Sequence, residues 1–193
     1  MKRSLGSFLT ILTLVVVIYG QEHSRPPAVP RATPVATPMA TPMVSPEGWV
    51  TFNSQPGRFT VLMPQIPNEK AETVESDHGP YTTHLFVVRE NSIFLIGWVD
   101  YDPAFNFNAT SELDANRDNF IKGVKATLIN SRSVTLDGYQ AIEFTAETAD
   151  TIFKSRVYMV GRRPYQLVAG TAKGIDDSLK VDKFFESFKV RPR

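Results

Sequence analysis

The chain contains no cysteine and few histidines, and these absences exclude several kinds of site. Among 193 residues there are three histidines and no cysteine, so no disulfide framework, thiol nucleophile or cysteine-ligated metal site can form. The 21 basic side chains are balanced by 20 acidic ones, which leaves no basic excess for binding nucleic acid. The hydrophobic content of 42% is too high for a chain that is disordered throughout.

Catalytic and cofactor-binding motifs are also missing. There is no Gly-x-Ser-x-Gly sequence, no glycine-rich phosphate loop and no Asp-x-Asp-x-Asp-Gly calcium loop. We therefore expect a protein that is not an enzyme and that needs no cofactor or metal.

Residues 1–20 have the pattern of a signal peptide. Lys2 and Arg3 precede an apolar run over 8–19, and Gly20 supplies a small residue for cleavage. As a helix, residues 5–19 would cover roughly 22 Å of the ~30 Å membrane core. Cleavage and export to a periplasmic or extracellular location are therefore expected. The alternative is an uncleaved N-terminal anchor, in which case the protein would contact a membrane.

Residues 21–47 form a linker rich in proline, threonine and alanine. Seven of the fourteen prolines lie here, and three tandem Ala-Thr-Pro-x units cover 32–43. Because proline fixes φ and removes a hydrogen-bond donor, this segment is expected to be disordered and largely polyproline II. It is either a stalk that holds the domain away from a membrane, wall or partner, or a tolerated spacer.

Residues 48–193 form one α+β domain with a mainly antiparallel sheet flanked by helices. Alternating apolar residues and turn signals predict strands at 49–52, 58–63, 70–76, 81–89, 93–101, 129–136, 139–148, 152–160 and 165–171. One helix is expected from a capping box at Ser111 and Asp114 to Leu128, and another from Asp176 or Asp177. The strand at 93–101 is the most apolar, which indicates a central position covered on both faces.

Four segments give this domain a resemblance to a known superfamily. They are GRFTVLMP at 57–64, LDGYQAIEF at 136–144, RVYMVGRRPYQL at 156–167 and FFESF at 184–188. Together they resemble exported bacterial domains of the PsbP-like α/β/α superfamily, over essentially all of 48–190. The resemblance implies an α/β/α sandwich and a habit of binding other proteins, and it implies no catalytic residue.

The candidate ligand-binding residues are Trp98, Asp100 and Asp102, because they lie at the end of the predicted central strand. Two carboxylates two residues apart share one face of a strand and could bind a cation or act as an acid/base pair. The alternative is that they only solvate the strand end before Pro103. His84 is predicted to lie opposite Glu75, which makes a histidine–carboxylate pair conceivable.

Three functions are open on the sequence alone, and the first is the one we expect. It is an exported, non-enzymatic accessory domain that binds a protein or cell-envelope component through its sheet face or edge. The alternative is a small-molecule or metal-binding domain with a pocket near Trp98, Asp100 and Asp102. The third is an enzyme, whose only form here would be a hydrolase that uses two carboxylates.

Overall fold

The domain is built on two antiparallel sheets. A computed structural model describes residues 48–75, 80–101, 103 and 108–191. The larger sheet has seven strands in the order β3-β4-β5-β9-β8-β7-β6, and the smaller has three in the order β1-β2-β10. The strands are β1 (Val50–Ser54), β2 (Phe59–Met63), β3 (Asn68–Val74), β4 (Tyr81–Arg89), β5 (Ser92–Tyr101), β6 (Thr127–Leu136), β7 (Tyr139–Glu147), β8 (Thr151–Val160), β9 (Arg163–Ala172) and β10 (Lys189–Val190). The helices are α1 (Ala109–Val124) and α2 (Ser178–Ser187).

The apolar strand β5 lies inside the large sheet, as its composition predicts. It pairs with β4 on one side and β9 on the other, and all six residues from Phe94 to Val99 are buried. Since both faces of the strand are covered, an uninterrupted apolar run is stable there.

Each face of the large sheet contributes to a different hydrophobic core, and each core contains one helix. On one face, residues including Phe94 and Leu167 pack against the small sheet and against Phe184 of α2. On the other face, residues including Phe144 and Phe153 pack against Phe120 of α1. The α+β class with a mainly antiparallel sheet is therefore confirmed. The separate small sheet was not anticipated, because its third strand has only two residues.

The start of α1 differs from the predicted capping box. The N-cap is Asn108, whose side chain accepts hydrogen bonds from the backbone N–H groups of Thr110 and Ser111. The prediction at Ser111 and Asp114 was wrong by one turn, because an asparagine satisfies the first free N–H groups as well as a serine does.

The end of α1 was also placed too late. The helix ends at Val124, and Lys125 adopts a left-handed φ of 55° as its C-cap. Leu128 lies in β6 instead of the helix. Its apolar spacing continues the helical pattern by coincidence, since Leu128 faces solvent at 40% exposure.

The Asp-Gly signal between β6 and β7 is confirmed. Asp137 and Gly138 both have positive φ, at 51° and 82°, and they join strands that pair from Leu136 and Tyr139 onward. A two-residue turn with positive φ at both positions matches the twist of a hairpin, which is why this dipeptide predicts it.

Candidate functional site

Trp98 lies in the core. Its side chain is fully buried, and its ring is stacked on His84 at 4.4 Å and on Phe86 at 5.5 Å between centroids. Phe59 from the small sheet meets it edge-on at 5.6 Å. The indole therefore joins the two sheets.

Asp100 lies on the same face of β5, near the surface. Its Oδ1 accepts a hydrogen bond from Arg163 Nε at 2.7 Å, and the same guanidinium donates to the carbonyl oxygen of Pro56 at 2.8 Å. Asp100 thus helps to connect β5 and β9 with the loop between β1 and β2. Asp102 lies outside the described residues, so its part in a ligand site remains a prediction.

His84 lies between two carboxylates, but not the one predicted from the sequence. The strand register places Ala71 directly opposite His84, so the predicted pairing with Glu75 was wrong. Val74 and Tyr81 form the last pair between the two strands. Glu69 Oε1 lies 3.5 Å from Nδ1, and Asp100 Oδ2 lies 3.8 Å from Nε2.

These two carboxylates approach opposite nitrogens of the imidazole. A single cation cannot bind both carboxylates and the ring from such positions, because metal ligands must converge on one point. In the described part of the chain, no group of three or more His, Asp or Glu side chains is arranged to hold a metal ion.

A buried polar cluster that the sequence analysis missed lies where β5 and α1 meet. Glu112 is only 4% exposed. Its Oε1 accepts hydrogen bonds from the Tyr101 hydroxyl and from Asn116 Nδ2, the latter at 3.0 Å. Asn116 is also buried, and its Nδ2 donates to the Glu112 carbonyl oxygen at 2.8 Å. A glutamate in the first turn of a helix usually faces solvent, so only the contact with β5 reveals this cluster.

Burial governs the protonation of this cluster. It raises the pKa of Glu112, and the hydrogen bonds from Tyr101 and Asn116 offset that rise only in part. The pKa of Tyr101 is also raised, by burial and by the adjacent Glu112 carboxylate. Asn116 Oδ1 is buried without a hydrogen-bond donor among the described residues. The cluster is therefore costly for stability, since a buried carboxylate needs compensation.

The two edges of the large sheet differ in how well they are protected. β3 forms one edge and carries Glu69, Lys70 and Glu72 among seven residues. β6 forms the other edge with ten residues, and Arg132 is its single charged residue. Charged residues on an edge strand discourage pairing with another chain, and a long edge with few of them favours it.

A row of alternating charges crosses the sheet and ends at the β6 edge. Arg132 of β6 lies directly opposite Glu143 of β7, which lies directly opposite Arg156 of β8. Glu143 Oε2 accepts from Arg132 Nε at 2.9 Å, and Oε1 lies 2.6 Å from Arg156 Nε. We call these three residues the charge row.

The electrostatics of the charge row keep its central carboxylate ionised. Partial burial acts to raise the pKa of Glu143, but the hydrogen bonds and charges of Arg132 and Arg156 outweigh it, and the net shift is downward. On the inner side the row stops at Leu167, which lies opposite Arg156. On the outer side it stops at Arg132, which is 74% exposed.

A groove of about 440 Å³ lies over this part of the sheet, beside α2. Besides the charge row, it is lined by Lys154 of β8 and by Asp182 and Phe185 of α2. The Arg156 guanidinium lies 5.0 Å from the centre of the Phe185 ring. Arg162 and Arg163 of the next hairpin are not among the residues that line it.

No helix within the described residues is long and apolar enough to cross a membrane.

Comparison with known proteins gives a fold and no closer relationship. No family model matches the chain, and no curated protein matches it. The structure is similar to the solution structure of cyanobacterial PsbP from Synechocystis, with a TM-score of 0.50 and 12% identity, over 79% of this chain and 98% of that one. A protein from Bacteroides thetaiotaomicron is similar over 76% of this chain and 50% of its own, with 16% identity and a TM-score of 0.37, too low to support an argument. The fold is therefore PsbP-like, as the sequence segments predicted.

Proposed function

We propose that this PsbP-like domain is an exported, non-enzymatic accessory module that binds a protein by pairing the open edge of β6 with an extended segment of its partner. The main support is that the two edge strands of the seven-stranded sheet differ in their number of charged residues. Ten residues of β6 have one charge among them, whereas seven residues of β3 have three.

The chemistry of an open edge favours a polypeptide over a small molecule. Within the described residues, β6 pairs with β7 alone, so its outer N–H and C=O groups have no strand partner there. The register shifts between Leu128 and Asn130 and is regular from Asn130 to Leu136, so at about 3.3 Å per residue the regular stretch offers a row roughly 23 Å long. An added strand satisfies such a row with main-chain hydrogen bonds, which is the mode called β-augmentation.

The location of the domain and the layering of its helices are part of the proposed function. The predicted signal peptide would direct the domain out of the cytoplasm, where the linker would act as a stalk between the domain and its attachment. The two helices, one in each core, would form the outer layers of an α/β/α sandwich around the large sheet.

Photocross-linking in the native host, with the full chain, tests the proposal. A photoreactive residue at Thr135 on β6 should form an adduct with a discrete partner, and the same residue at Thr73 on β3 should not. Thr135 and Thr73 are both exposed threonines in edge strands, so they form a matched pair.

A pair of proline substitutions then asks whether edge pairing is responsible. Asn130 and Ser131 are exposed neighbours, and in an antiparallel strand one of two neighbours directs its N–H toward β7 and the other toward solvent. Asn130→Pro and Ser131→Pro should therefore differ in melting temperature, and the variant that retains its fold should lose the adduct. Equal adducts at positions 135 and 73, or an adduct that survives this proline, would overturn the proposal.

A further inference from the structure

The charge row indicates which side chains the partner strand carries. This inference rests on the proposed function, because it assumes that an extended segment pairs with β6. In the row, positive, negative and positive side chains stand directly opposite one another on β8, β7 and β6. We propose that the segment bound by β6 carries an acidic residue opposite Arg132 and an apolar residue opposite Val134.

The acidic position follows from the register. Directly opposed side chains of neighbouring strands lie about 4.5–5.5 Å apart at Cβ, close enough for opposite charges to attract and like charges to repel. Arg132 already holds Glu143 on its inner side and is 74% exposed, so its outer side is open to a second carboxylate. With that carboxylate in place the row continues as positive, negative, positive, negative.

The apolar position follows from the next residue on the same face. Val134 is partly buried and packs against the hydrophobic core that contains α2. A strand residue two positions from the acid shares its face, so it comes to lie beside Val134 at the border of that core. An aliphatic side chain there would cover apolar surface that β6 leaves at the edge.

The opposite face of the bound strand is expected to be polar. On that face β6 presents Ser131 and Ser133, which oppose Phe144 and Ile142 of β7. Arg117 of α1 donates to the Ser131 hydroxyl at 3.3 Å, so a polar helix side chain already reaches this side. The recognised pattern is therefore an acid and an apolar residue on one face, with hydroxyl-bearing residues between them.

Three synthetic nonapeptides test the inference against the full chain. The nine residues are valine at odd positions and threonine at even positions, except that position 5 is Glu, Gln or Lys, and a neutral Gly-Ser tail is added after them. These nine residues are symmetric about position 5, so a parallel or antiparallel strand presents the same face. Binding is measured by amide NMR shifts of β6 and by the dissociation constant.

The Glu peptide should bind about two- to fivefold more tightly than the Gln peptide, as expected for exposed charge pairs, and the Lys peptide should bind most weakly. The preference should shrink in 0.5 M salt. Arg132→Gln should abolish the difference between the Glu and Gln peptides and leave the Gln peptide's affinity unchanged. Arg163→Gln, which alters an arginine–aspartate pair away from β6, is the matched control and should keep the preference.

The outcomes separate this inference from the proposed function. Equal binding of the Glu and Gln peptides, or shifts that avoid β6, would overturn the inference, whereas the cross-linking adduct at Thr135 would still support edge pairing. If no adduct forms at Thr135 in the native host while the Glu peptide is still preferred, the result would instead count against the proposed function. Without peptide, a mass that rises with concentration in light scattering, together with concentration-dependent NMR shifts of the β6 amides, would assign the edge to a second copy and also overturn the inference.

Discussion

The buried cluster of Tyr101, Glu112 and Asn116 gives the sharpest stability prediction. Tyr101→Phe removes the hydroxyl that donates to the buried Glu112 carboxylate and changes little else in shape. A hydrogen bond to a charged group contributes about 1.5–3 kcal/mol, and one between neutral groups about 0.5–1.5 kcal/mol. The substitution should therefore cost about 1.5–3 kcal/mol with Glu112 ionised, and about half as much in a Glu112→Gln background.

The sign of the pH dependence follows from the raised pKa of Glu112. A group whose pKa is raised on folding stabilises the fold fully below its unfolded pKa, and this contribution is lost as pH rises through its folded pKa. The free energy of unfolding should therefore fall with rising pH in the wild type relative to Glu112→Gln. Glu143 has a lowered pKa, so its contribution to stability is lost in acid, in both proteins. Wild type and Glu112→Gln must therefore be compared with each other at each pH.

Urea unfolding of wild type, both single variants and the double variant at pH 4 and pH 8 is the assay. The double-mutant cycle isolates the Tyr101–Glu112 coupling from the other contacts of Tyr101. We expect a coupling of about 1–2 kcal/mol where Glu112 is ionised, equivalent to roughly 2–8 °C in melting temperature for a domain of this size, and a smaller one where it is protonated. A coupling near zero, or one that is larger at pH 4 than at pH 8, would refute the reasoning.

Three further predictions concern the core and the surface of the same domain. Phe184→Ala should lower the free energy of unfolding in urea by about 3–5 kcal/mol, because it empties a fully buried site. Leu179 is 85% exposed on the same helix, so Leu179→Ala should lower it by under about 0.5 kcal/mol. Similar losses for the two variants would contradict the placement of α2. Gly97→Ala should lower the free energy of unfolding by about 1–3 kcal/mol through overpacking, since the new Cβ would lie 2.8 Å from the His84 carbonyl oxygen. An unchanged unfolding midpoint would argue against that close approach. Asp100→Asn should change stability by less than about 1 kcal/mol because the pair with Arg163 is partly exposed, and a larger loss on thermal melting would indicate a structural role.

The strands were predictable because their signals are local. The Asp137–Gly138 turn and the apolar run of β5 each carry enough information in a few residues to be recognised. The ends of α1 were not, because Asn108 and Ser111 are both good caps and Leu128 continues the helical spacing beyond the last turn. The choice between such alternatives depends on which one packs against the sheet.

The candidate site was less predictable than the fold. Trp98 and Asp100 were predicted near the end of the strand in which they lie, but their neighbours depend on distant segments. Trp98 is covered by His84 of β4 and Phe59 of β2, and Asp100 is held by Arg163 of β9. Which side chains surround a strand end depends on strand order, which hydrophobic alternation does not contain.

The sequence by itself determined the exclusion of cysteine chemistry, the α+β class and the positions of the main strands, because composition and short-range periodicity suffice for these. Only the tertiary structure decided that β6 is an edge, that Arg132, Glu143 and Arg156 stand in register, and that Glu112 is buried. Each of these facts depends on pairing between residues that are far apart in the chain. Strand order and burial arise from long-range packing, in which every element competes for the same apolar surface.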